Sequence, residues 1–176
     1  MKIKPLTPVD FAASLSLITT AFATAPHTDG NEANLVAALR QSPDYHADYD
    51  VGAFTDDGAL IGHALLSKAT IQNSTQAWPI FVLAPLAVLP AYQNQGVGGA
   101  LITYLEAQAG EDARRAISIL GDPAYYGRFG YQPAANFNVQ APFEVASKYF
   151  LLRPIVEGGL TGVSGTLHYD PAFGLA

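Results

Sequence analysis

The sequence predicts a mixed α/β (α+β) fold, in which helices flank a central mixed, mainly antiparallel sheet. Three observations carry that expectation. The apolar run Ile80 to Val88, an amphipathic stretch from Val97 and the apolar run Ala116 to Leu120 read as a strand, helix and strand joined by a crossover. Two further apolar stretches, Tyr49 to Phe54 and Leu60 to Ser67, are separated by Asp56-Asp57-Gly58, a hairpin signal. Phe11, Leu15, Ile18 and Phe22 recur at helical spacing and form one apolar stripe. With 176 residues, 49% of them hydrophobic, the chain can bury one core but is short for two domains of usual size. Residues 1–176 are therefore expected to form a single domain.

The elements follow in order. A short strand near Ile3 ends at Pro5, and Thr7 can cap a helix that Pro8 opens at a position where a missing N–H costs nothing. That helix is expected to end near Ala23. Leu35 and Leu39 suggest a second helix over Glu32 to Arg40, stopped by Pro43. The two hairpin strands come next, and the polar segment Lys68 to Gln76 reads as a second turn. The strand Ile80 to Val88 is apolar on both faces, hence central, yet it contains Pro85, which cannot donate to a ladder. A bulge is expected there, releasing neighbouring backbone groups. After the Gly-rich turn, Val97, Leu101 and Leu105 share one helix face. Asn136, Asn138 and Gln140 alternate with Phe137, Val139 and Ala141, a period-two strand. Further strands are expected over Tyr149 to Leu152 and Thr166 to Tyr169.

Composition removes several functions. Nine Lys and Arg against 15 Asp and Glu give a net charge of −6, with no basic stripe for a phosphate backbone, so nucleic acid is not an expected partner. With no Cys, disulfides, thiolate metal sites and a cysteine nucleophile are excluded. His27, His46, His63 and His168 are scattered without metal-ligand spacing, so no metal is expected. His63, on a strand, is either a structural His or a group facing a substrate cleft. Lys2, Lys4 and the run Phe11 to Ala25 ending in AFATA imitate an export signal. Pro5, Pro8 and Asp10 interrupt that pattern, and the helical stripe points to a retained first helix in a cytoplasmic protein. The longest apolar run, Ile80 to Leu89, is about half a membrane span, so no membrane partner is expected. Gly162-Val163-Ser164-Gly165 lacks the spacing and the following helix of a serine-hydrolase elbow.

The stretch QNQGVGGA, Gln93 to Ala100, leads from the central strand into the amphipathic helix. Its three glycines are either turn filler or a clearing of side chains that lets bare amides reach an anion at a helix start. It is not a nucleoside-triphosphate loop, because no Gly-Lys-Ser or Gly-Lys-Thr is present, and Leu101 stands where a dinucleotide fold needs its third glycine.

The run LAPLAVLPAYQNQGVGGALITYLEAQA, followed by ILGDPAYYGRFGYQPA, resembles the acetyl-CoA-binding core of the GNAT superfamily of N-acetyltransferases, in its bacterial YhbS-like branch. The resemblance is strongest over residues 83–133. It extends less specifically to Leu6-Thr7-Pro8 with its helix and to the tail Gly158 to Phe173. It implies a GNAT-type acyl-CoA N-acyltransferase fold and transfer of an acetyl group to a primary amine by direct attack in a ternary complex. Acetyl-CoA is then the co-substrate and no metal is needed. Backbone groups of Leu86 and Val88 would pair with the pantetheine arm, and an N–H of Ala87 or Val88 would stabilise the oxyanion. Gln93 would open the motif, and the amides of Gln95, Gly96, Val97, Gly98 and Gly99 would hold the pyrophosphate. Tyr126, in the pattern Y-x-x-x-G-[FY], would protonate the leaving thiolate as a phenol that stays neutral. The bland reading of Tyr126 is a packed aromatic beside Tyr125, Phe129 and Tyr131.

Two departures from the pattern stand out. Gly121-Asp122-Pro123 leads directly into the tyrosine segment, and Phe81 to Val88 offers no carboxylate or His as general base. The expected partner is a small-molecule or peptide amine acceptor that the sequence does not name, and a homodimer is compatible with it. The competing reading is a catalytically silent acyl-CoA-binding sensor or interaction module of the same fold.

Overall fold

The computed structural model describes residues 1–26 and 28–175; His27, one of the scattered histidines, lies outside them. In chain order the elements are strand β1 (Lys2–Pro5), helix α1 (Phe11–Phe22), helix α2 (Glu32–Leu39), and strands β2 (Asp50–Phe54), β3 (Leu60–Gln72) and β4 (Ala77–Val88). Helix α3 (Val97–Glu111), strand β5 (Ala116–Leu120) and the short helix α4 (Pro123–Tyr126) follow. Strands β6 (Gln132–Pro133), β7 (Val139–Gln140), β8 (Phe150–Pro154) and β9 (Gly165–His168) complete the chain. Mainly antiparallel pairing with flanking helices is the fold class that the sequence implies.

The chain forms two compact units. The first comprises 1–67 with 84–108, the second 68–83 with 109–176. In the first unit β1 pairs antiparallel with β2 (Ile3 opposite Ala53), and β2 with β3 (Gly52 opposite His63). A single 3₁₀ turn, Pro8–Asp10, precedes α1, and the Asp10 carboxylate accepts from both the N–H and the hydroxyl of Thr7. The stripe that predicted α1 buries Ile18 and, beside it, Leu17. On β3 successive side chains alternate between faces. A Cβ on Gly62 would stand 2.9 Å from Val97 and 3.1 Å from Leu101, so glycine is what lets α3 lie this close to the sheet. Val97, Leu101 and Leu105, the stripe expected of α3, are all buried.

In the second unit β4 and β5 pair in parallel, Phe81 opposite Ile117, as the crossover requires. β5 pairs antiparallel with β8, and β8 with β6. The end of β3 pairs with β9, and β9 with β7.

Two expectations need correction. The polar segment from Lys68 is strand as far as Gln72, and the turn is only 73–76, closed by Asn73 N–H to Gln76 O at 3.0 Å. Alternation over 136–141 yields strand only at Val139–Gln140, because Ala134–Phe137 coil into a 3₁₀ turn and Asn138 turns left-handed at φ 58°. Pro85, where the sequence suggests a bulge, lies within β4 and is joined to Ala84 by a cis peptide bond.

Candidate active site

The predicted cradle residues lie together in the first unit. β4 ends at Val88, and a 3₁₀ turn over Pro90–Tyr92 closes with Tyr92 N–H to Leu89 O at 2.8 Å. Asn94 (φ 60°) and Gly96 (φ 82°) then take left-handed backbone conformations that redirect the chain into α3. The first amide in this region to donate within the helix ladder is Ala100, to Gly96 O at 2.9 Å. Ahead of it, the N–H groups of Gln95, Gly96, Val97, Gly98 and Gly99 donate to no acceptor among the described residues. Such orphan donors belong to every helix start, and the helix dipole adds roughly half a positive charge there.

Around Gly96 the backbone is open, with nothing within 4 Å of where a Cβ would stand. The two glutamines of the motif fold back onto the chain. Gln93 Nε2 donates to Val88 O at 3.0 Å and Gln95 Nε2 to Ala91 O at 2.8 Å. Their side chains therefore brace the loop, in which Gln95 and Gly96 are exposed while Val97 and Gly98 are buried. Leu86, Ala87 and Val88 form the last turn-free stretch of β4, immediately upstream of the loop. The arrangement is chemically suited to an anion with several oxygens.

Tyr126 belongs to the second unit, at the end of α4, whose first turn is capped by Asp122 accepting from Ala124 N–H at 2.9 Å. Its ring stands edge-on to Tyr125 at 4.9 Å and to Tyr131 at 6.1 Å between centroids. A side chain on Gly121 would overlap the Tyr126 ring, so the direct Gly121-Asp122-Pro123 lead-in is what makes room for it. Burial, and secondarily Tyr125, push its phenol above the ordinary tyrosine value. The hydroxyl is thus a proton carrier at neutral pH and donates to no acceptor among the described residues.

The sequence reading missed a polar cluster buried in the first unit. Asp50, at the start of β2, accepts from Arg40 Nε at 2.8 Å and Arg40 Nη2 at 3.2 Å, from the Tyr45 hydroxyl at 2.9 Å and from His63 Nε2 at 2.7 Å. Arg40 Nη2 also donates to Ser14 Oγ of α1 at 2.9 Å, and its guanidinium lies 3.9 Å from the Phe11 ring centroid. The side chains of Asp50 and His63 are fully buried. Burial alone would raise the Asp50 carboxyl, but hydrogen bonds from His63 and Arg40 outweigh it and hold it down at about 2. Burial lowers His63 despite the pull of Asp50. Scattered His, Asp and Arg residues carry no periodic signal, and only strand register reveals them as neighbours. Asp50 faces Leu65 across the ladder and so shares a sheet face with His63. Of the two readings of His63, the structure places it in this core cluster. Among the described residues no group of three or more His, Cys, Asp or Glu is arranged to hold a metal.

Comparison with known proteins converges on one family. Residues 48–133 match the family model of the acetyltransferase (GNAT) domain. The N-acetyltransferase YhbS of Escherichia coli K12 is 31% identical over 142 residues, 81% of this chain and 83% of YhbS. The crystal structure of E. coli YhbS in complex with CoA matches with a TM-score of 0.86 at 28% identity, covering 98% of this chain and 91% of that one. A GNAT acetyltransferase from Brucella melitensis, crystallised in complex with acetyl-CoA, gives a TM-score of 0.76 at 28% identity over 98% of this chain and 97% of that one. The matched segment holds both the Gly-rich entry to α3 and Tyr126, and the chain belongs to the GNAT family of N-acetyltransferases.

Proposed function

We propose that the chain transfers the acetyl group of acetyl-CoA to a primary amine of a small-molecule or peptide acceptor, by direct attack in a ternary complex. The observation that carries this reading is the set of amides from Gln95 to Gly99 at the start of α3 that donate to no acceptor among the described residues, in a loop where Gln93 and Gln95 fold back onto the chain. They fit a diphosphate. When bound, acetyl-CoA supplies an acetyl group activated as a thioester. The amides of 95–99 hold the phosphates, and the backbone of Leu86 and Val88 orients the pantetheine arm as an added strand would. Gln93 occupies one lone pair of the Val88 carbonyl, so the strand end is braced as well as exposed. The N–H of Ala87 or Val88 is directed at negative charge developing on the carbonyl oxygen. Tyr126 holds the proton destined for the leaving sulfur.

Calorimetry with acetyl-CoA tests the cradle directly. Gly98→Glu, which puts a carboxylate at the phosphate position, is expected to weaken binding by about 100-fold or more, because like charge meets the anion at a helix start. Release of CoA thiol in the presence of an amine panel tests the transfer. Binding without thiol release from any amine would replace the enzyme reading with that of a silent acyl-CoA sensor.

A further inference from the structure

The buried cluster around Asp50 stands beside the part of β4 assigned above to the acyl-CoA arm. Leu89 N–H donates to Ile61 O at 3.0 Å, which fixes the local antiparallel register of β3 and β4 within the first unit. Two residues along, alternation brings His63 to the level of Ala87. The Ala87 carbonyl itself lies 3.4 Å from where a Cβ on the adjacent Gly62 would stand. We propose that His63, held by Asp50 and Arg40, is a positioning residue that sets the β4 backbone at Ala87 and Val88 for the acyl-CoA arm. This rests on the reading that the Val88 backbone pairs with the arm and that an N–H of Ala87 or Val88 meets the developing oxyanion.

The geometry explains how. With Asp50 ionised, His63 Nε2–H donates to Asp50 Oδ1, and Nδ1, fully buried, has no partner among the described residues; buried Arg40 Nη1 likewise has none. The imidazole meets Asp50 from β2, and the other charged and titratable groups of the cluster, Arg40 from the end of α2 and Tyr45 from the following loop, bond to Asp50, with Ser14 of α1 accepting from Arg40. One carboxylate and one guanidinium balance, so neutral His63 leaves the cluster neutral. A proton from solvent on Nδ1 adds a second cation beside Arg40 and a buried donor without an acceptor. His63 cannot accept that proton and stay in place, and its movement is transmitted from β3 across to Ala87 of β4. The acyl-CoA grip therefore weakens in mildly acid solution.

Two measurements test this. In ¹H–¹⁵N spectra of the wild-type chain, the backbone amides of Ala87 and Val88 are expected to titrate with the His63 ring at a shared midpoint below the ordinary His value. That transition disappears in His63→Gln, which keeps a donor at the Nε2 position and cannot titrate. Amides that stay flat while His63 titrates, or a His63 that does not titrate before acid unfolding, overturn the proposal. In calorimetry, lowering pH from about 7.5 to about 5.5 should weaken acetyl-CoA binding by at least about threefold more in wild type than in His63→Gln. Equal pH dependence in both proteins also overturns it. Absence of acetyl-CoA binding by wild type at either pH overturns the transferase reading instead, and the amide titration then decides the positioning role by itself.

Discussion

At Tyr126 the packed ring and the proposed proton donor can be separated by substitution. Phenylalanine retains the ring that fills the space beside Gly121 and Tyr131, and removes only the hydroxyl. Tyr126→Phe is expected to leave the acetyl-CoA dissociation constant within about twofold of wild type while thiol release falls about 100-fold, the usual worth of a positioned general acid. An unchanged rate would assign Tyr126 to the aromatic cluster alone. The loop residues divide differently. Gln93 and Gln95 appeared in the sequence as motif residues, but their side chains act as braces on Val88 and Ala91, so the motif presents its backbone. The amides were legible because glycine and a following amphipathic stripe are local signals.

Elements transmit these effects. α3 starts where it does because Gly62 presents no side chain to Val97 and Leu101. Gly62→Val would force the first turn of α3 off the sheet, and with it the amides at its start. Its expected cost is about 1–3 kcal/mol of stability, measured by denaturant titration, together with weakened acetyl-CoA binding. On the other face of β3, α1 and α2 are tied to β2 by the Arg40, Asp50 and Ser14 bonds. Asp50→Ala leaves the Arg40 guanidinium buried without its carboxylate, and a loss of about 3–5 kcal/mol is expected in the same titration. A loss below about 1 kcal/mol would mean that water reaches Arg40 and that the cluster is not closed.

For the whole molecule, the same cluster dictates the pH dependence of stability. His63 has a folded value below its unfolded 6.5, because burial opposes the charged ring. The unfolded chain therefore takes up this proton first, and stability present above about pH 6.5 is lost as pH falls toward the folded value. Asp50, lowered from 3.8 to about 2, adds a second loss over that lower range. Thermal melts are expected to show a plateau at neutral pH and two acid steps, the upper of which vanishes in His63→Gln. A single step near the carboxylate range in both proteins would remove His63 from the account. Among the described residues no helix is long and apolar enough to cross a membrane.

The sequence by itself determined the mixed α/β pattern, α1 to α3, the crossover from β4 to β5 and the Gly-rich entry to α3. Each of these is written in spacings of two to four residues or in a turn of a few, the range over which backbone geometry repeats. It failed where a local conformation overrode alternation, as at left-handed Asn138, and where a polar run proved to be strand, as from Lys68 to Gln72. Only the tertiary structure decided that Arg40, Asp50 and His63 meet, that Gly62 admits α3, and that the chain gathers into two compact units sharing β3 and β4. Those facts depend on strand register and on the approach of elements distant in sequence, and no short-range period encodes either.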